Sequence, residues 1–169
     1  MKFKKLKNGK YLVNGITTYE EVIIKLNLFK KQNFNIDKII KENQYYDEYY
    51  KALNYLKRGM KTKKQVIDFI KNESIVDKLV KEGYIDDLKY TKAFIHDKLL
   101  FTNYGPLKIK FKLSCLGIDN QIIDDEINKI DEEKIKDRII KLLNKNKKID
   151  YIISQGYSYE DIKKTTNNC

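Results

Sequence analysis

The chain has little of what site chemistry is usually built from. His96 is the only histidine in 169 residues, so neither a histidine-pair metal site nor a Ser-His-Asp relay within one chain is supported. Cysteine is almost as scarce. Cys115 and Cys169 lie far apart, the second at the final position, a spacing that suggests neither a disulfide framework nor a metal-ligand set, and reduced thiols are expected. Cys115 also stands well away from His96 in sequence and has no oxyanion-hole motif beside it, so packing against a core is expected of it rather than nucleophilic chemistry. There is no Gly-rich phosphate loop of either common pattern. No run approaches the ~18 consecutive apolar residues of a membrane span, and the opening MKFKKLKNGK has no apolar centre that could act as a signal peptide. These absences lead to the expectation of a cytoplasmic protein that is not an enzyme, with no metal, no cofactor and no membrane association.

Basic charge is abundant. The formal net charge is +11 with 35 Lys and Arg, yet Arg58 and Arg138 are the only arginines. Two readings stay open. A basic surface is steered toward nucleic acid or an acidic protein face, whereas a lysine excess alongside much Ile and Asn also fits an A/T-rich coding bias. The acidic groups Asp86-Asp87, Asp124-Asp125-Glu126 and Asp131-Glu132-Glu133 could suggest paired-carboxylate chemistry. The first and last fall at expected helix starts, where carboxylates cap free N–H groups and complement the macrodipole. His96 is expected at a helix surface. Tyr45, Tyr46, Tyr49 and Tyr50 form adjacent helical stripes that suit packing to neighbouring elements, with base stacking as the alternative.

The organisation is mostly helical. Residues 1–13 read as a hairpin, with Asn8-Gly9 as a type I′ turn signal. Thr18 and Glu21 have capping-box spacing ahead of Val22, Ile23 and Leu26. A long helix is expected from about position 45, with Tyr49, Ala52, Leu53 and Leu56 on one face, ending near Gly59. Thr62 and Gln65 form another capping box before Val66, Phe69 and Ile70, and Ser74 is placed to cap a third helix that carries Ile75, Val76, Leu79 and Val80 and closes at Gly83.

This long-short-short triplet recurs. The second begins at Asp86 or Asp87, carries Tyr90, Ala93, Phe94 and Leu100, breaks at Gly105-Pro106 and ends beyond Gly117 with an Asp119-capped helix bearing Ile122, Ile123, Ile127 and Ile130. The third has Ile135, Ile139, Leu142 and Leu143, then Ile149, Ile152 and Ile153, then Gly156 and a short helix capped by Ser158 with Ile162. Aligning Gly117 with Gly156 brings Leu113 onto Ile152, Ile118 onto Tyr157 and Ile123 onto Ile162, a degenerate internal repeat. Leu107, Ile109, Phe111 and Leu113 alternate with lysines, a strand pattern; Ile109, Leu113 and Leu116 also make a helical face, and the Gly-Pro start favours helix.

Several of these segments, in order, resemble the RecX family of RecA modulators. They are Ala52-Leu53-Asn54-Tyr55-Leu56, Thr62-Lys63-Lys64-Gln65, the junction Leu79-Val80-Lys81-Glu82-Gly83-Tyr84-Ile85-Asp86-Asp87, and Gly105-Pro106-Leu107-Lys108-Ile109 followed by Leu116-Gly117-Ile118. The signature residues are thus Gly83, Tyr84, Asp86, Asp87, Gly105, Pro106, Gly117 and Gly156. The chain departs from the family where Gly59 and Lys61 replace common arginines and where the third repeat is abbreviated. The resemblance implies a mainly α fold, an extended curved array of three tandem three-helix repeats preceded by a short β-hairpin and helical lead-in. The expected boundaries are 1–44 for the lead-in and 45–85, 86–130 and 131–169 for the repeats.

The same resemblance implies a monomeric regulator that binds the RecA filament, touches single- and double-stranded DNA weakly or through RecA, and mostly inhibits RecA in repair and recombination. A helical protein that binds nucleic acid without RecA is the alternative. Three clusters recur at matching module positions and make a candidate basic strip: Lys57, Arg58, Lys61, Lys63 and Lys64; Lys108, Lys110 and Lys112; and Arg138, Lys141, Lys145, Lys147 and Lys148.

Overall fold

The computed structural model describes residues 2–30 and 35–167. The chain divides into two compact units, Met1–Gly59 and Met60–Cys169. That division falls inside the segment 45–85, between the long first helix of the expected triplet and its two short partners. Cys169 lies outside the described residues.

The first unit opens with an antiparallel meander, β1 (Phe3–Lys5), β2 (Tyr11–Val13) and β3 (Ile16–Thr18). The expected two-stranded hairpin is therefore one strand short. Asn14 and Gly15 both have positive φ (48° and 87°) between the paired Val13 and Ile16, so they form the two-residue I′-type turn. Asn8-Gly9 instead sits in a longer connection, in which the Leu6 amide donates to the Lys10 carbonyl at 2.8 Å and Gly9 takes the left-handed position.

The Thr18–Glu21 capping box does not form. Thr18 ends β3 and is buried, its hydroxyl donating to Asn43 Oδ1 at 2.8 Å, and α1 (Glu20–Lys25) starts after Tyr19 without a side-chain cap. Glu21 accepts from the Tyr50 hydroxyl instead.

The long helix α2 runs Ile36–Leu56, starting well before position 45 because Asn35 caps it by accepting from the amides of Asp37 and Lys38. Its tyrosines pack rather than project. Tyr19 stacks on Tyr50 at 5.1 Å between centroids and approaches Tyr46 at 5.8 Å, over a core of Val13, Val22, Ile23, Leu28 and Ile39. The Glu21 hydrogen bond, with some burial, pushes the Tyr50 phenol up to about 12. A phenol raised in the folded state keeps its stabilising contribution below pH ~10 and loses it as pH climbs through the folded value. Ultraviolet titration is expected to show tyrosine absorbance that ionises late, and Tyr50→Phe or Glu21→Gln to diminish that late component.

In the second unit the helices follow their caps. Thr62 and Gln65 make the full capping box of α3 (Lys63–Ile70). The helix α4 (Glu73–Lys81) starts at Asn72 rather than Ser74, whose hydroxyl donates to Asn72 Oδ1 at 2.9 Å. It buries Ile75, Val76 and Leu79, while Val80 stays exposed.

Asp86 caps α5 (Asp87–Phe101), and its short partners are α6 (Pro106–Cys115) and α7 (Asn120–Ile127). The ambiguous alternating segment is thus a helix. Ile109 and Leu113, four apart, are fully buried, and Leu107 and Phe111 face out. They join Ile95, Ile118 and Ile123 in one core; each such side chain contributes about 1.5–3 kcal/mol on burial. Two expectations fail here. Leu100 is 61% exposed rather than part of the apolar face, and Cys115 is exposed rather than packed on the core.

The third triplet is short but complete. It comprises α8 (Glu132–Asn144), α9 (Ile149–Ser154) and α10 (Tyr159–Asn167) around Ile139, Leu142, Ile152, Tyr157 and Ile162. The structure is therefore mainly helical, with ten helices and one small sheet among the described residues.

Candidate functional site

Within the second unit, consecutive triplets meet through a repeated joint in which the N-terminus of one middle helix sits on the C-terminus of the next. The Thr62 hydroxyl, at the cap of α3, donates to the Leu116 carbonyl at the end of α6 at 2.9 Å. Correspondingly, the Gly105 amide, at the cap of α6, donates to the Gln155 carbonyl at the end of α9 at 2.7 Å, and the Leu107 amide donates to the Gly156 carbonyl at 3.0 Å. Each joint sets the positive end of one helix dipole against the negative end of the next and gives terminal amides and carbonyls the partners they lack within a helix.

The close approach dictates glycine. A Cβ on Gly156 would lie 2.5 Å from Lys108 Cβ, and one on Gly105 would lie 2.6 Å from the Gly156 carbonyl oxygen. At the other joint a Cβ on Gly117 would lie 2.6 Å from Lys64 Cβ. The residue at the corresponding end of α3 is Lys71, left-handed with φ 53°.

Two further contacts reinforce the joints. Asp87 accepts from the Lys63 amide at 2.8 Å and so caps α3 from the next triplet, its carboxyl held above the usual range by burial despite that hydrogen bond. At the second joint Arg138 is the centre. Its guanidinium donates to the carbonyls of Leu99, Thr102 (2.6 Å) and Tyr104 (3.4 Å) and to the Tyr157 hydroxyl (3.0 Å). Burial raises the Tyr157 phenol, and Arg138 offsets part of that rise.

The thirteen cations of the candidate strip therefore divide by environment. Arg138 faces inward, and the Lys108 ammonium bonds the Ser154 carbonyl at 3.1 Å and Gln155 Oε1 at 3.3 Å while sitting over the Tyr104 ring. Lys63, Lys64 and Lys110 are ion-paired with Asp77, Asp68 and Asp124; such exposed pairs are worth only ~0–1 kcal/mol each and are open to exchange. Lys147 lies over the Tyr151 ring, and Lys61 is half-buried. Lys57 and Arg58 are exposed residues of the first unit, and Lys112, Lys141, Lys145 and Lys148 are exposed in the second.

Among the signature residues, Gly83 takes φ 77° after α4 and Tyr84 is 56% exposed. Sequence reasoning marked Gly105, Gly117 and Gly156 as helix breaks and repeat markers but missed what they touch. The internal alignment was the available signal, since residues equivalent in successive modules occupy equivalent joints.

The acidic groups serve local structure. Asp119 caps α7, Asp131 caps α8, Asp124 pairs with Lys110, and Glu126 is buried and paired with Lys129 at 2.6 Å. His96 is exposed beside Asp97. Among the described residues no three of His, Cys, Asp and Glu gather as a possible metal site, and no helix is long and apolar enough to cross a membrane.

Head-to-tail joints between triplets define the class: a tandem three-helix-repeat protein. A family model described as RecX, second three-helix domain, matches residues 86–126, the second triplet. The regulatory protein RecX of Streptococcus uberis is 27% identical over 99% of this chain and 77% of its own length. Those of Clostridium beijerinckii and Clostridium tetani are 37% and 29% identical, over 64% and 69% of this chain. The chain spans 62% and 64% of those two proteins, less than two thirds of each. In fold it is similar to a crystal structure of regulatory protein RecX, with a TM-score of 0.85 over 98% of this chain and 97% of that one at 21% identity. RecX from Lactobacillus salivarius gives a TM-score of 0.67 over 73% and 94% at 23% identity. The chain is thus similar over nearly its whole length to a regulatory protein RecX, and its second triplet matches the RecX second three-helix domain.

Proposed function

We propose that this protein binds RecA filaments on DNA and modulates, mostly by inhibition, RecA strand exchange, ATP hydrolysis and coprotease activity in repair and recombination. The observation that carries this reading is the repeated joint, which sets successive triplets in one register and leaves Lys112, Lys141, Lys145 and Lys148 exposed on adjoining modules. A series of jointed modules with exposed cations on adjoining modules suits a partner that is itself a repeating polyanionic assembly. The mechanism is steric and electrostatic: occupancy of the filament hinders strand exchange and biases its growth or disassembly. No bond is made or broken, and neither a metal nor a cofactor takes part.

Exposed cations with no place in the joints are the ones to carry the binding, namely Lys57, Arg58, Lys112, Lys141, Lys145, Lys147 and Lys148. Lys63, Lys64 and Lys110 contribute by exchanging a weak internal partner for the filament. The protein acts as a cytoplasmic monomer, with DNA contacts made weakly or through RecA.

The test is co-sedimentation with RecA filaments at physiological salt, alongside strand exchange and filament-stimulated ATP hydrolysis. The wild-type protein is expected to co-sediment and slow both reactions. The variant Lys112→Glu/Lys141→Glu/Lys145→Glu/Lys148→Glu is expected to bind about tenfold more weakly or worse. No effect of the wild-type protein at stoichiometric amounts rejects the proposal. Equal affinity for bare DNA and RecA-coated DNA, with steep salt dependence, would assign it instead as a nucleic-acid binder acting without RecA.

A further inference from the structure

A cleft at the second joint combines features that internal packing does not use. It is lined by the end of α5, where Leu100 and Phe101 stand 61% and 76% exposed, and by Lys141 and Lys145 of α8, with Arg138 and Tyr157 beneath. Two neighbouring large apolar side chains held this far into water at a rigid helix end are costly to leave exposed and mark a contact surface when rimmed by polar groups. The floor is fixed, because Arg138 is held by three carbonyls and the Tyr157 hydroxyl. The rim is cationic, and no carboxylate lines the cleft. This sets Lys141 and Lys145 apart from Lys63, Lys64, Lys110 and Lys129, which have carboxylate partners within the unit.

We infer that this cleft is a protein-docking site, taking an apolar side chain of an acidic partner surface against Leu100 and Phe101 while Lys141 and Lys145 meet the flanking carboxylates. The pairing of an aliphatic with an aromatic anchor favours protein over nucleic acid. Bases stack on aromatic faces, whereas Leu100 offers none and adds apolar area for a side chain. Apolar anchors at the centre with charged groups at the rim is the arrangement in which a few residues dominate affinity and the rim governs association rate. The inference rests on the proposed filament binding and assigns its protein contact, as distinct from contact with DNA.

Both apolar residues are exposed, so Phe101→Ser and Leu100→Ser leave the fold intact, which unchanged circular dichroism and melting verify. With RecA filaments on single-stranded DNA, Phe101→Ser is expected to weaken co-sedimentation by about tenfold or more, the range of an interface anchor. Affinity for the same DNA without RecA is expected to stay unchanged. Lys141→Glu/Lys145→Glu is expected to slow association most at low salt. If the wild-type protein co-sediments and Phe101→Ser does so equally well, the docking site is wrong while the filament reading stands. A parallel loss of bare-DNA binding in Phe101→Ser makes the occupant nucleic acid and overturns the inference. If the wild-type protein does not co-sediment at all, both fall together.

Discussion

Replacing Gly156 by alanine is expected to destabilise the second unit by about 3 kcal/mol, lowering its melting temperature by about 10 °C, whereas the same change at Gly83 costs about 1 kcal/mol. The two positions share a left-handed backbone, φ 91° and 77°, so both carry the strain of a Cβ in that region. They differ in surroundings. A Cβ at Gly83 meets nothing within 4 Å, while one at Gly156 enters the start of α6, where Lys108 Cβ would lie 2.5 Å away and Lys108 Cα 2.9 Å. Backbone there cannot step aside without breaking the hydrogen bonds from the Gly105 and Leu107 amides to α9.

Gly117→Ala falls between these cases, since the obstruction is the Lys64 side chain rather than backbone. Gly105→Ala tests the same joint from the other side, where φ is −90° and strain plays no part. The double variant Gly105→Ala/Gly156→Ala is expected to cost less than the two single changes added, because a joint already opened has no second contact to lose. Thermal unfolding of the four single variants and the double checks the order. Equal costs at Gly83 and Gly156 would reject the close approach as the reason for glycine.

Arg138→Ala is expected to cost about 3 kcal/mol, and Arg138→Lys to recover less than half of it. The guanidinium satisfies the carbonyls of Leu99, Thr102 and Tyr104 around the C-terminus of α5 and also donates to the Tyr157 hydroxyl. Removing it leaves those acceptors short of a donor at a half-buried site, where each orphaned group costs ~1–3 kcal/mol. A lysine supplies the charge but not the planar fork that reaches several acceptors at once. Chemical denaturation provides the measurement. A loss comparable to that of an exposed lysine such as Lys134→Ala would show that the network contributes nothing. This is also the position at which a reading by residue type goes furthest astray: an arginine in a basic cluster suggests an anion contact, and this one instead binds its own chain.

The helical repeats were largely legible. Apolar spacing, the Thr62–Gln65 box and the caps at Asp86, Asp119 and Asp131 act within a few residues of themselves, and each stands where expected. Thr18 was misread because its hydroxyl is claimed by Asn43, 25 positions away. Asn14-Gly15 escaped notice because Asn8-Gly9 carries the same dipeptide, and only strand pairing distinguishes a two-residue turn from a longer connection. Leu100 and Cys115 were assigned to a core on local pattern, which records period but not which neighbouring helix arrives to cover a given face.

By itself, then, the sequence determined the helical class, the triplet rhythm and the likeness to RecX proteins, because short-range periodicity, capping and motif order are written in consecutive residues. Tertiary structure decided which glycines are joints, which cations face inward and which side chains remain in water. Those outcomes follow from contacts between residues tens of positions apart, as when Arg138 reaches Leu99 or Thr62 reaches Leu116. Charge and hydrophobicity at one position carry no information about such a partner until the backbone brings it within hydrogen-bonding distance.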